Sequence, residues 1–262
     1  MGALNIMCAH DHGFVLVEPA NGTLQLYSTD EQCVSKRWDC YFHPLTECPT
    51  IAQSTLGPHA DHLDCGLGEH RGGMDAATAH MLRPKPALAA KVHAMKAKLN
   101  LTDQPYVSMQ MRTGRRFMND GRVLMSVEQY AQLALTACTN MHLNTLYVTT
   151  DDYEALEKLI GILRPHNVSV VFIPESLFGT EKLSKGSYIE DALKTGDLVS
   201  DYISVVATDV FIAAQGAFFI HSQSSFGDTI RHLQRERGDR KDCWFIWVIS
   251  WRGQTFEFEP YF

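Results

Sequence analysis

The chain has 262 residues, 45% of them hydrophobic, and a formal net charge of −7, enough for one large domain or two small ones and too acidic for a nucleic-acid surface. No apolar run reaches the roughly 18 residues that span a bilayer, and the longest, Val205 to Ile220, is broken by Asp209, Gln215 and Gly216. The amino terminus has no basic segment followed by an apolar one, so no signal peptide is expected, and the chain reads as a fragment or as a cytosolic protein.

In chain order, the first 80 residues are rich in Gly, His, Pro and Cys, with one clear strand pattern at Thr23 to Tyr27. Cys33, Cys40, Cys48 and Cys65 crowd there, whereas Cys8, Cys138 and Cys243 lie apart. Such clustering predicts disulfides in an oxidising compartment, with unpaired thiols as the alternative. Sequons at Asn21, Asn100 and Asn167 lean the same way. His59, His62, Cys65 and His70 invite a zinc reading, but their spacing matches no strong ligand pattern, and no metal is expected.

Beyond residue 80 helices and strands alternate. Lys85 to Leu99 reads as a helix with Leu88, Val92, Met95 and Leu99 on one face. Tyr106 to Arg112 reads as a strand and Val127 to Met141 as a helix. Leu146 to Thr150 follows as a strand, then Tyr153 to Leu163 as a helix ended by Arg164-Pro165. Val168 to Ile173 is expected extended, Leu198 to Gln215 helical, Ala217 to Ile220 a buried strand, and Ser225 to Arg237 a helix closed by Gly238. This order implies an α/β fold, a parallel sheet with helices on both faces. Residues 1–80 and 81–262 are expected to form separate parts.

Polar groups gather where the predicted strands end, which is where open α/β sheets bind ligands. The first strand runs from Tyr106 into Arg112, Arg115 and Arg116, and guanidinium forks there suit phosphate oxygens. Thr149-Thr150-Asp151-Asp152 closes the second strand. Its carboxylates suit a ribose or base edge, although Asp152 is equally placed to cap the next helix. His221-Ser222-Gln223-Ser224-Ser225 leads into a helix and suits an anion through hydroxyl and N–H groups. Asp209, inside an apolar helix, needs a partner: a base N–H or a buried structural bond. There is no nucleophile elbow, no G-x-G-x-x-G and no P-loop, so hydrolase, dinucleotide oxidoreductase and P-loop readings are set aside.

With those turns in place, the chain resembles the α1,6-fucosyltransferases of glycosyltransferase family 23, which include the core fucosyltransferase of N-glycans and the rhizobial nodulation fucosyltransferase. Asn21 to Leu26, Trp38 to Cys48 and Leu82-Arg-Pro-Lys-Pro86 resemble family segments. The strand ending at Arg112 resembles the pyrophosphate-binding H-V-R-R-T-D-K motif. Arg112 falls on its first arginine, while Gln110 replaces the histidine, Thr113 the second arginine, and Arg115 and Arg116 the last two positions. Asp120 falls on a glutamate taken as catalytic base, and Tyr130 close to a donor-site tyrosine. Asp151 and Asp152 match paired aspartates, Asp209 an aspartate before the third motif, and Ser224 and Ser225 a serine pair followed here by Phe226 instead of glutamine.

The resemblance implies a GT-B arrangement with a Rossmann-like C-terminal donor domain and a short, truncated N-terminal acceptor part. It implies inverting transfer of fucose from GDP-fucose to a glycan or glycoprotein hydroxyl, without a metal or other cofactor. Arg112 and Asp120 would be catalytic. Gln110, Arg112, Arg115, Arg116, Tyr130, Asp151, Asp152, Asp209, Ser222, Ser224, Ser225 and Phe226 would line the nucleotide-sugar site. A Golgi-lumenal location follows if an anchor precedes the chain, and a cytoplasmic one otherwise. The alternatives are a GT-B transferase for another nucleotide sugar and a degenerate homologue that binds nucleotide or glycan without transfer.

Overall fold

A computed structural model describes residues 40–43, 71–113, 125–179, 202–221, 224–236 and 244–245. The described elements are α1 (Arg71–Met81), α2 (Pro86–Lys98), β1 (Val107–Met111), α3 (Val127–Asn140), β2 (Thr145–Thr150) and α4 (Tyr153–Leu163). They continue with β3 (Ser169–Val171), the single-turn α5 (Glu175–Phe178), α6 (Tyr202–Ala213), β4 (Phe218–His221), α7 (Ser225–Glu236) and β5 (Trp244–Phe245). The strands form one five-stranded sheet in the order β3-β2-β1-β4-β5, and every neighbouring pair is parallel.

Local chemistry sets several boundaries. Pro86 opens α2, where its missing N–H costs nothing, and the preceding segment is braced by His43 N–H on the Arg83 carbonyl and Lys85 N–H on the Tyr41 carbonyl, both 2.9 Å. A capping box starts α3: the Ser126 hydroxyl accepts from Gln129 N–H, and the Gln129 side chain accepts from Ser126 N–H at 2.7 Å. Asp152 caps α4 by accepting from Ala155 N–H at 3.0 Å. Pro165 converts the end of that helix into a 3-10 turn, and Asn167 leaves it in the left-handed region at φ 57°.

The parallel register places alternate residues on opposite faces. On one face Val107, Met109, Met111, Leu146, Val148, Phe218 and Ile220 form a core with Ala131, Ala134 and Cys138 of α3 and Leu156, Leu159 and Leu163 of α4. On the other, Tyr147 and Phe219 pack with Tyr106, Val92 of α2, Val210 and Ile212 of α6, and Ile230 and Leu233 of α7. Helices therefore cover both faces, as the alternation predicts. No helix among the described residues is long and apolar enough to cross a membrane.

Two elements depart from expectation. Helix α1 lies in a stretch read as irregular, because Gly72 and Gly73 each lower helix propensity by about 1 kcal/mol. Packing along α7 overrides that weakness, with Asp75 Oδ1 at 2.6 Å from His232 Nδ1. Strand β3 is shorter than the apolar run suggests. Ile173 is buried beyond its end, where its carbonyl accepts from the Tyr153 hydroxyl at 2.9 Å. The Thr23–Tyr27 strand and the His59–His70 cluster lie outside the described residues, as do Cys33, Cys48 and Cys65; Cys138 is a buried free thiol.

Candidate functional site

The chain runs from β1 to β2 and β3 on one side of the sheet and later adds β4 and β5 on the other. The strand order thus reverses between β1 and β4, and in open parallel sheets a crevice lies outside the carboxyl ends at such a point. Both flanking strands carry a polar residue in their last two positions, Gln110 in β1 and His221 in β4. Gln110 is in register with Thr149 of β2 and with His221 of β4, so three polar side chains form one row across the central strands. All three are buried.

Two members of this row are fastened by helices, Gln110 at its centre and Thr149 at one end. The Ser224 hydroxyl donates to Gln110 Oε1 at 2.8 Å and accepts from Gly227 N–H at 2.9 Å, which starts α7 against the end of β1. Gly227 permits that approach. A Cβ there would stand 2.5 Å from Gln110 Oε1 and 2.9 Å from His221 Nδ1. His221 is also stacked on Phe219, with centroids 5.1 Å apart.

At the Thr149 end, Asp209 of α6 is buried against β2. One carboxylate oxygen accepts from the Tyr147 hydroxyl and the other from the Thr149 hydroxyl, both at 2.5 Å. Burial raises the Asp209 carboxyl from its ordinary 3.8 to about 6, and the hydrogen bonds from Thr149 and Tyr147 offset part of that rise. Burial, followed by the neighbouring Asp209 charge, pushes the Tyr147 phenol well above its usual range, so it remains a donor. Of the two partners considered for Asp209, the geometry supplies the buried internal bond.

The exit of β1 is held from the opposite face. Arg112 N–H donates to the Tyr130 hydroxyl at 3.1 Å, and Thr113 Oγ1 donates to Asp152 Oδ2 at 2.8 Å. Arg112 is half-buried, Asp151 is exposed, and Phe226 packs partly against the second core cluster. Ser225 is the first residue of α7. Arg115, Arg116, Asp120 and Ser222 lie outside the described residues.

Of the residues singled out from sequence, Gln110 and Ser224 are in direct contact, while Asp152 stands behind Thr113 and Tyr130 behind Arg112. Thr149, His221 and Thr113 belong to the same neighbourhood; from sequence they were named within motifs and given no place in the site. Their signal was positional: each lies within one residue of the end of a predicted strand. Among the described residues no group of three or more His, Cys, Asp or Glu side chains is placed to hold a metal ion.

The class these features define is an α/β protein built on a parallel sheet with a polar crevice at a strand-order reversal. No protein-family model matches the chain, and no curated protein matches it. Solved structures similar to it include POFUT1 in complex with GDP, at 10% identity over 62% of this chain and 47% of that one, with a TM-score of 0.39. POFUT1 in complex with GDP-fucose gives 10% identity, 61% and 45% coverage and a TM-score of 0.39; the apo-form gives 11%, 64%, 47% and 0.41. The chain spans less than half the length of each of these structures.

Proposed function

We propose that this chain is the donor-binding part of a GT-B-type glycosyltransferase that moves fucose from GDP-fucose to a glycan hydroxyl with inversion. The observation that carries this reading is the meeting of Gln110, Ser224 and the braced backbone of Arg112 where the strand order reverses. The order β3-β2-β1-β4-β5 is the one a Rossmann-like donor domain uses. The sequence resemblance to α1,6-fucosyltransferases supplies the choice of sugar and nucleotide.

In this scheme the acceptor oxygen bonds to the anomeric carbon as the bond to the β-phosphate oxygen breaks. The acceptor proton passes to the Asp120 carboxylate, the general base, and GDP departs. Arg112, with Arg115 or Arg116, neutralises charge growing on the phosphate, typically the largest single catalytic term. The first turn of α7, including Ser225, directs N–H groups to the same anion. Asp151, exposed beside the crevice, takes the ribose or base edge, while Asp209 holds α6 to β2. Arginines carry the phosphate charge, so no metal is needed. Disulfides among Cys33, Cys40, Cys48 and Cys65, and a lumenal location, accompany this reading.

One observation favours a second reading. The Ser224 hydroxyl is engaged by Gln110 and Gly227, as suits a homologue that keeps the donor fold without transfer. Calorimetric titration with GDP, UDP and GDP-fucose, followed by assay of GDP release with glycan acceptors, separates the two. Binding of GDP over UDP with turnover is the expected result, and Arg112→Ala should lower the rate on the order of a hundredfold. Undiminished turnover in Arg112→Ala would sink the scheme, and full activity in Asp120→Asn would remove the base assignment. GDP binding without turnover selects the second reading.

A further inference from the structure

We infer that Tyr130 and Asp152 are positioning residues that set the backbone of Arg112 and Thr113, and do not themselves touch a nucleotide. This rests on the assignment of Arg112 to the phosphate and adds the device that aims it. Arg112 lies one residue past the last register pair of β1, Met111 with Thr150. At that point the sheet ladder no longer fixes the backbone. The Tyr130 phenol takes over the ladder's role: it accepts from Arg112 N–H at 3.1 Å and donates to the Arg112 carbonyl at 3.4 Å. A single side chain thus engages both main-chain groups of one residue, much as a neighbouring strand would.

The phenol is itself held firmly. Tyr130 is 0% exposed within the core beneath β1 and β2, which leaves it no surface to offer a ligand. It stands in the first turn of α3, whose start is fixed by the Ser126–Gln129 capping box. The next residue is braced from a different helix. Asp152 Oδ2 accepts from Thr113 Oγ1 at 2.8 Å while Oδ1 caps α4 through Ala155 N–H at 3.0 Å. Both carboxylate oxygens therefore serve the protein itself. Two helices of the apolar face thereby grip two consecutive residues of the crevice wall.

A long, flexible guanidinium side chain is placed only as well as its Cα is. Fixing the Arg112 backbone before ligand arrives removes part of the ordering cost of binding. Tyr130→Phe keeps the ring and its packing but deletes both hydrogen bonds, and Thr113→Val deletes the hydroxyl donor while leaving the Asp152 cap in place.

The decisive measurements are GDP titration by calorimetry and amide hydrogen exchange of the full chain. Tyr130→Phe should weaken GDP about three- to tenfold, as expected for the loss of one or two hydrogen bonds, and Thr113→Val should act in the same direction. In the Arg112→Ala background Tyr130→Phe should cause no further loss, because its effect passes through the side chain already removed. Equal losses in both backgrounds would overturn the inference. Without nucleotide, Tyr130→Phe should speed exchange of the Arg112 amide about three- to tenfold while Met109 and Met111 stay unchanged. Unchanged exchange at Arg112 would overturn the clamp. If the parent chain binds no GDP, the proposed function falls and the exchange result alone decides the clamp.

Discussion

On one face of the sheet β1, β2 and β4 present Val107, Met109, Met111, Leu146, Val148, Phe218 and Ile220; on the other the same strands present Ser108, Gln110, Tyr147, Thr149, Phe219 and His221. Each strand contributes to both sets simply by alternating. The apolar face needs volume and little else, and the Ala-lined α3 and Leu-rich α4 fill it. The polar face requires partners for its buried groups, and Asp209 supplies them to Tyr147 and Thr149, Ser224 to Gln110, and the Phe218 carbonyl, which accepts from Ser108 Oγ at 3.1 Å, to Ser108. The first face thus fails through lost volume, and the second, which also packs an apolar core around Phe219, through lost or misplaced hydrogen bonds as well.

The largest expected effect lies on the apolar face. Leu159 of α4 is 0% exposed, and Leu159→Ala should cost about 2–5 kcal/mol in urea unfolding. Its folded fraction should still bind GDP like the parent. A loss of affinity matching the loss of stability would mean that the two faces are not separable.

Asp209→Asn probes the polar face through pH. The native carboxyl holds its proton up to about 6, against an ordinary 3.8. The stability this contributes is present below about pH 4, falls as pH rises, and is gone above about pH 6. A shift of this size is on the order of 3 kcal/mol. Asparagine should remove that pH-dependent component, so the stability difference between variant and parent should change across this window and level off on either side. A difference independent of pH from 3 to 8 would show that the Asp209 proton is not linked to folding.

The smallest effects come from two glycines. Gly227→Ala drives a Cβ against Gln110 and His221 and should cost about 1–3 kcal/mol, read as a lower melting temperature. Gly161→Ala, in the middle of α4 with nothing within 4 Å of the added Cβ, should stabilise by about 0.4–1 kcal/mol. Opposite signs would bear out the contrast between the faces, and two losses would break it.

Elements specified by neighbouring residues were legible in the sequence. Helix α4 has the expected bounds because Asp152 caps it and Arg164-Pro165 ends it. The row at the crevice was partly legible for the same reason: Gln110, Arg112 and Ser224 stand at strand ends, and strand ends are local features. Pairings that depend on how helices settle were not legible. The Asp209 contacts span 60 and 62 positions, and nothing near Tyr130 in sequence says that its hydroxyl reaches the Arg112 backbone. Helix α1 was hidden by its paired glycines, and the short β5 by its length of 2 residues.

Ser224 has a consequence for how this chain can vary. Its hydroxyl must both receive the Gly227 N–H and find an acceptor at position 110, a residue 114 positions away. An aliphatic residue at 110 would leave that buried hydroxyl without its acceptor, at about 1–3 kcal/mol, and alanine at 224 would expose the same gap from the other side. The two positions are therefore coupled: once the hydroxyl at 224 has gone, a valine at 110 no longer deprives it of an acceptor, and the Gly227 N–H is the group left to satisfy. Descendants of this chain should carry matched substitutions at 110 and 224 more often than single ones.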